Sequence, residues 1–233
     1  MAEKDDMKGQ ALALRGMALF DLTRFYGYPY LMDNGASAGA CIVTTVLEKD
    51  AMPQRSTVAQ CYDQILKDLE ESANLLGEDF NKGKFNKWAA LTLLSRVYLY
   101  HGDNQKAYDA AVKAIEGAKA HGYALWSNEE YPTAWANDVN ASSAHKGEVL
   151  MEVINLTTDS PGKESLGYLN SPSGYGDEAV TASFYNLLSK DSKDVRLKLI
   201  NITKGWGYVN KYQPQQGENI MDANIPLLSL IHI

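Results

Sequence analysis

This sequence lacks both a membrane-spanning stretch and the short motifs that mark common enzymes. No apolar run reaches transmembrane length, and the first ten residues, MAEKDDMKGQ, are polar without a signal-peptide core. No HExxH, GxSxG, Walker A, EF-hand or GxGxxG pattern occurs. Taken alone, these absences favour a cytosolic protein, an interpretation that fails if the chain is one piece of a longer protein.

Metal-ligand spacings and basic residues are scarce as well. The two cysteines, Cys41 and Cys61, form no CxxC pair, and the four histidines share no ligand spacing. The net charge of −7 and the pI near 5.1 argue against a nucleic-acid partner, because binding to a phosphate backbone needs a basic face. Among its 29 carboxylates, no pair is marked out by its surroundings for glycosidase chemistry. We therefore predict no metal, no cofactor, no nucleic-acid partner and no catalytic residues.

Tyrosine, by contrast, is abundant. The 233 residues include fourteen tyrosines and four tryptophans but only five phenylalanines. These side chains join an apolar face to a polar edge, which suits half-buried core positions as well as stacking against sugars. The composition alone leaves both uses open.

Helical periodicity dominates the first half of the chain. One helix is predicted over residues 8–26, ending at Gly27 and Pro29, and a second over 56–76 with Ser56 as its N-cap. A loop rich in glycine, alanine and serine separates them. The predicted buried stripes are Ala11, Leu14, Ala18, Leu22 and Phe25 in the first helix, and Val58, Tyr62, Ile65, Leu69, Ala73 and Leu76 in the second.

A helical hairpin is predicted around Gly102-Asp103, in the stretch WAALTLLSRVYLYHGDNQKAYDAAVKAI. Leu94 and Tyr98 lie on the face that should be buried, and small alanines line the second helix. This order of apolar, small and aromatic positions matches the tetratricopeptide repeat, whose hairpins must stack on neighbours to bury their faces. The predicted fold class is mainly α: tetratricopeptide-like hairpins in an α-α superhelix, with long irregular insertions.

The composition changes after Gly122: helical periodicity ends, and loops rich in asparagine, serine, glycine and aromatic residues begin. The stretch EVLMEVINL is predicted to be a strand or an extended segment. A helix is predicted over Thr181–Leu188, and an extended segment from Gly205. The predicted organisation is a helical part over residues 1–122 with a loop insertion at 27–55, and a loop-rich part of the same domain unit over 123–228.

Several segments in this order resemble the SusD/RagB family. ALRGMALFDLTRFYGYPY is similar to the family's Leu-Arg helix that runs into Tyr-Gly-x-Pro. The helix from 55 to 76 is similar to Tyr-x-x-Ile-x-x-Asp-Leu, and Asp194 with Arg196 resembles the family's Asp-x-Arg, for which we expect a structural role. The following hairpin, GEVLMEV and the late Lys-Tyr and NIPLL segments also fit.

The resemblance implies a function for the chain. The family consists of surface glycan-binding lipoproteins with a SusD-like helical fold, anchored by a lipid on the outer face of the cell outer membrane. Its members act as lids over a SusC-like TonB-dependent transporter, and hold oligosaccharides by stacking and hydrogen bonds without cleaving them. By resemblance, we expect a non-catalytic glycan-binding subunit of a nutrient-uptake complex.

The sequence departs from the family pattern at both ends. The lipoprotein signal, the lipidated cysteine and the first helices of the family are absent from this chain. NIPLL continues as SLIHI where the family has an arginine and a helix, and LSLIHI is similar to a translated sequencing-library adapter. We therefore expect an internal fragment in which residues 229–233 are a non-native tail.

Two loop stretches place aromatic rings beside amides and carboxylates, as a glycan site requires. Trp135 could alternatively plug the end of the hairpin core. The predicted ligand-binding residues are Tyr131, Trp135, Asn137 and Asp138 in YPTAWANDVN, and Tyr168, Asn170 and Tyr175 in GYLNSPSGYGDE.

Two other functions compete with glycan binding. A generic tetratricopeptide scaffold would bind a protein partner on the concave face of its helices, whereas the aromatic residues here crowd into the loops. A glycoside hydrolase would need two carboxylates facing each other across a cleft.

Overall fold

The structure is a computed structural model, and it describes residues 2–81, 83–135, 147–154, 162–211 and 225–230. These residues fall into two compact units. The helical unit contains residues 2–124, 148–151 and 228–230, and the loop-rich unit contains residues 125–135, 147, 152–154, 162–211 and 225–227. The predicted division at Gly122 into two parts of one domain stays a prediction.

Five helices build the helical unit, as far as its described residues go. Their bounds are α1 (Ala2–Tyr26), α2 (Tyr30–Asp33), α3 (Val58–Leu75), α4 (Lys87–His101) and α5 (Asn104–Ala120). Helix α3 packs against α1 on one side and α4 on the other, and α4 packs against α5. The fold is mainly α and tetratricopeptide-like, as the sequence predicts.

The start of α3 lies one residue later than predicted. Thr57, not Ser56, is the N-cap: its hydroxyl accepts a hydrogen bond from the Gln60 amide, and the Gln60 side chain accepts one from the Thr57 amide. This reciprocal capping box satisfies two amides that the helix itself cannot pair. The predicted stripe of α3 is correct, since all six of its members are buried.

The predicted buried face of α1 is wrong. Leu14, Leu22 and Phe25 are exposed, Phe25 by 74%, whereas the face that includes Leu12 and Phe20 is buried. Apolar residues occur all around this helix, so periodicity cannot select a face. Glycine selects it: a Cβ added at Gly9 or Gly16 would lie 2.9 Å from the Leu76 or Leu69 side chain, respectively, so only a bare backbone allows this close approach to α3.

An ion pair fixes α1 against α3. Arg15 donates from Nε and Nη2 to the two carboxylate oxygens of Asp68, both at 2.7 Å, and Gln64 Nε2 donates to the same carboxylate. The Asp68 side chain is only 2% exposed. A buried carboxylate needs such partners, because an unpaired charge away from water is costly.

The α4–α5 hairpin turns at Gly102, whose φ of 98° lies in the left-handed region that suits glycine. Leu94 and Tyr98 are buried, as the repeat pattern predicts. Ser95 Oγ donates to the carbonyl of Ala107 at 2.9 Å, which ties the two helices together, and the Tyr98 hydroxyl donates to the Glu70 carboxylate on α3.

The long loop between α1 and α3 is closed at its base by Arg55. Its guanidinium donates to the carbonyls of Gly39, Tyr26 and Ala38 at 2.6, 2.7 and 2.9 Å. The backbone also pairs there, with the Gly39 amide donating to Ser56 at 2.7 Å and the Ser56 amide to Ala40 at 2.9 Å. We call this base, formed by Arg55 and the paired backbone of Gly39, Ala40 and Ser56, the neck of the loop. Beyond the neck, residues 43–55 are exposed.

Short elements make up the loop-rich unit. Strands β2 (Ile200–Thr203) and β3 (Trp206–Val209) form an antiparallel hairpin, and its turn residues, Lys204 and Gly205, both have positive φ. The helix predicted over Thr181–Leu188 is confirmed as α8 (Ala182–Leu188), with Thr181 as its N-cap. The bounds are α6 (Tyr131–Ala134), α7 (Leu166–Asn170), α8 (Ala182–Leu188), 3₁₀ helices Gly162–Glu164 and Val195–Leu199, β2 (Ile200–Thr203) and β3 (Trp206–Val209).

A second two-stranded sheet pairs β1 (Val149–Val153) with β4 (Ile225–Ser229), which confirms the strand predicted in EVLMEVINL. Ser229 and Leu230 are buried. The Ser229 hydroxyl donates to the Glu148 carboxylate at 3.2 Å, and the Leu230 amide to the Glu148 carbonyl at 2.9 Å. Residues 231–233 lie outside the described residues, and the non-native tail over 229–233 stays a prediction.

In the part of the chain that the structure describes, no helix combines the length and apolar character needed to cross a membrane.

Candidate functional site

Tyr131 and Trp135 stand together at the two ends of α6. Their ring centroids are 6.0 Å apart and their planes meet at 83°, an edge-to-face contact that aromatic pairs favour. Local bonds fix the entry to this short helix, because the Ser127 amide donates to the Glu130 carboxylate at 2.9 Å and the Glu130 amide to the Ser127 hydroxyl at 3.2 Å. Both rings are half-buried, so each keeps some surface in contact with solvent.

Two cationic side chains belong to the chain segments next to this pair. Lys211 Nζ lies 4.0 Å from the centroid of the Trp135 ring, a cation–π contact. Arg196 lies on the 3₁₀ helix Val195–Leu199, which packs against α6. Burial lowers the pKa of the Lys211 ammonium group.

Asp194 holds Arg196 in place. Its carboxylate accepts from the Arg196 backbone amide at 2.9 Å, from Nε at 2.9 Å and from Nη2 at 2.5 Å. These hydrogen bonds raise the pKa of Arg196 and lower that of Asp194. The pair begins the 3₁₀ helix and neutralises its own charge. The structural role predicted for Asp194 and Arg196 stays a prediction.

Tyr168 and Tyr175 form a second aromatic pair. Their ring centroids are 5.1 Å apart at an angle of 84°, and the Tyr175 amide donates to the Tyr168 carbonyl at 2.9 Å. A Cβ at Gly174 would lie 2.0 Å from that same carbonyl oxygen, so glycine is required for the turn that brings the rings together. Tyr175 is 52% exposed, which leaves a large aromatic surface in solvent.

The remaining predicted residues are less informative. The side-chain amide of Asn170 donates a hydrogen bond to the Leu166 carbonyl at 2.9 Å, within α7. The side-chain oxygen of Asn170 is therefore the atom that could accept a hydrogen bond from a ligand. Asn137 and Asp138 lie outside the described residues. The structure thus joins the predicted residues as two aromatic pairs, each within one local stretch of chain.

Two neighbours of the aromatic pairs are not predicted by the sequence. Lys211 lies beside Trp135, and no local pattern indicates this contact because the two residues are far apart in the chain. Tyr208, on β3, lies beside Gly176 in the loop of the second pair. Both contacts depend on tertiary structure, whereas the aromatic pairs are close in sequence.

The arrangement offers flat aromatic surfaces beside hydrogen-bonding and charged groups. Such a surface suits a ligand with an apolar face and a polar rim, as a sugar ring has. Among the residues that the structure describes, no group of three or more histidine, cysteine, aspartate or glutamate side chains could hold a metal ion.

Comparisons with known proteins agree on one family. The profile of a SusD-like family, described as starch-binding and associating with the outer membrane, matches residues 1–99. No curated protein matches the chain.

Solved structures match nearly the whole chain. A Bacteroides vulgatus protein that is proposed to bind sugar is 63% identical, over 99% of this chain and 52% of that protein, with a TM-score of 0.90. A SusD superfamily protein from the same species is 37% identical over 99% and 52%, with a TM-score of 0.85. A SusD-like carbohydrate-binding protein, also from Bacteroides vulgatus, is 25% identical over 99% and 49%, with a TM-score of 0.76. The chain therefore spans about half the length of the solved structures that it matches.

Proposed function

The chain belongs to the SusD/RagB family, and from this premise we propose that it is a non-catalytic glycan-binding part of an outer-membrane nutrient-uptake complex. The observation that carries the proposal is the 63% identity, over nearly the whole chain, to a protein that is itself proposed to bind sugar. The 25% identical relative named for carbohydrate binding supports the same ligand class.

The proposed binding surface is formed by the two aromatic pairs, Tyr131–Trp135 and Tyr168–Tyr175. Each pair has an edge-to-face geometry that holds its rings in fixed directions. Rings held in place lose little conformational freedom when a sugar stacks on them, so less of the interaction free energy is spent on ordering. Asn137, Asp138 and the Asn170 side-chain oxygen are the proposed polar contacts.

The proposed role is to capture oligosaccharide on the outer face of the cell outer membrane, in polysaccharide utilisation. The family description associates these proteins with that membrane. The proposed partner is a SusC-like TonB-dependent transporter, and the proposed attachment to the membrane is a lipid anchor. The chain would bind its glycan without cleaving it, since stacking and hydrogen bonding need no reacting group.

The test begins with a glycan array, followed by isothermal titration of the glycans that bind. Trp135→Ala and Tyr175→Ala should each weaken binding by about two- to tenfold, since an aromatic contact contributes about 0.5–1.5 kcal/mol beyond its area. Tyr108→Ala is the matched control, because Tyr108 is an exposed tyrosine on α5 of the helical unit.

Measuring both affinity and thermal stability shows whether Trp135 and Tyr175 bind the glycan or only pack within the protein. Circular dichroism should show that both variants keep the wild-type fold and thermal transition. If Trp135→Ala lowers the transition temperature while titration gives unchanged affinity, Trp135 only packs, and the site lies elsewhere. If no glycan binds the wild-type chain, the proposed function is wrong.

One observation favours a second candidate function, the docking of a protein on the helical unit. Large apolar side chains are exposed where α1 ends and α2 begins, among them Phe25, Tyr28 and Leu31. Exposed apolar patches of this kind commonly mark interaction surfaces. Replacing Tyr28 and Leu31 by serine should then reduce co-purification with the SusC-like transporter, while Trp135→Ala should leave it unchanged.

A further inference from the structure

We infer from Lys211 that the Tyr131–Trp135 pair takes an anionic sugar, one that carries a carboxylate or sulfate group on its ring. The inference rests on the proposed glycan-binding function and narrows it to a ligand class. It runs against the net charge of −7, which by itself favours neutral ligands.

The ammonium group of Lys211 lies against the aromatic surface of Trp135. Lys211 Nζ lies 4.0 Å from the centroid of Trp135, so the charge and the aromatic surface form one feature. A sugar that contacts this indole therefore has its rim within reach of the ammonium group. Lys211 is half-buried and holds its charge in a partly desolvated place.

Lys211 forms no ion pair with any carboxylate among the residues that the structure describes. Asp194, the carboxylate of the neighbouring 3₁₀ helix, is engaged by three donors of Arg196.

Neutral and anionic ligands gain different amounts of binding free energy from this ammonium group. Taking an ammonium group from water without a counter-charge is unfavourable, and a nearby anion offsets that cost. The lowered pKa of Lys211 reflects the same desolvation. A neutral hydroxyl can only hydrogen-bond to this group, whereas a carboxylate or sulfate also brings a negative charge to it.

The test is a titration of the protein with three matched probes: an oligogalacturonide, a sulfated galacto-oligosaccharide and a neutral galacto-oligosaccharide of equal length. Wild-type protein should bind at least one anionic probe about tenfold or more tightly than the neutral one. Lys211→Met keeps the apolar stem and removes the charge, so this preference should disappear while binding of the neutral probe stays. Lys190→Met, at an exposed position of the same unit, should keep the preference.

Salt and conservative replacement separate recognition from packing. Raising NaCl from about 0.05 to 0.5 M should weaken binding of the anionic probe more than that of the neutral one. Lys211→Arg should restore the preference. If Lys211 only packs on Trp135, Lys211→Met lowers thermal stability and leaves the ratio of affinities unchanged, which would overturn the inference.

The remaining outcomes keep the two proposals apart. Tighter or equal binding of the neutral probe overturns the anionic class and leaves glycan binding intact. No binding of any glycan on the array overturns glycan binding itself, and the inference with it. Whichever anionic probe binds more tightly identifies carboxylate or sulfate as the recognised group.

Discussion

Gly117→Ala should destabilise the helical unit, although alanine is the better helix former. A Cβ at Gly117, on α5, would lie 2.0, 2.3 and 2.5 Å from the Cζ3, Cη2 and Cε3 atoms of Trp88 on α4. The indole is buried and is in contact with the His121 ring, at a centroid distance of 5.1 Å. To restore ordinary contact, the indole or the helix must move by more than an ångström.

Two opposing effects set the magnitude. Replacing glycine by alanine inside a helix gains about 0.8–1.0 kcal/mol in helix propensity. Inserting a methyl group into a packed interior costs about 1–3 kcal/mol, and the rigid indole places this case at the upper end. We expect a net loss of about 2 kcal/mol in the free energy of unfolding, which for a chain of this length lowers the melting temperature by about 4–8 °C.

Differential scanning calorimetry of three variants would measure this loss. Gly77→Ala makes the same chemical change where no atom lies within 4 Å of the new Cβ, and it should be neutral or raise stability by about 0.4–1 kcal/mol. In a Trp88→Leu background, Gly117→Ala should lose most of its cost, because the clashing ring is gone. If the Gly117→Ala single variant is as stable as the wild type, the close contact between Gly117 and Trp88 is wrong.

Three further predictions concern named side chains. Leu94→Ala should lower the free energy of unfolding by about 2–5 kcal/mol in urea titrations, because Leu94 is 5% exposed; an unchanged transition would contradict its placement. Burial raises the pKa of Tyr62 to about 12, above its unfolded value of about 10, so its contribution to stability is complete below about pH 10 and is lost as the pH approaches 12. Tyr62→Phe should therefore flatten the loss of stability over this range, and an unaltered alkaline profile would argue against the burial. Arg196→Ala should slightly reduce thermal stability and leave the affinity for a neutral glycan unchanged; abolished binding with normal unfolding would show that Arg196 contacts the ligand.

The fold could be predicted where one physical effect dominates. In α3 the apolar residues occupy a single stripe, so periodicity alone identifies Ile65 and Leu69 as buried. In α1 apolar residues occur on every side, and the buried face is selected by Gly9 and Gly16, which permit close contact with α3. Periodicity treats glycine as neutral, so it selected the wrong face.

The candidate site likewise contains features that the sequence predicts and features that it does not. Aromatic residues a few positions apart, such as Tyr131 and Trp135, could be predicted to lie together because a short turn or helix brings them into contact. Lys211 could not, since its place beside Trp135 depends on how β3 and the following residues return to α6. The charge of a site is thus harder to predict than its aromatic character.

The neck closed by Arg55 makes the exposed part of the long loop a tolerant place for insertions. Because the three carbonyl contacts and the paired backbone of Gly39, Ala40 and Ser56 hold the base, the chain beyond it contributes little to the core. Doubling the length of such a loop costs only about 0.6 kcal/mol in closure entropy. Val46, whose side chain is fully exposed, is therefore a suitable point for an affinity tag or a fluorescent label on a working protein.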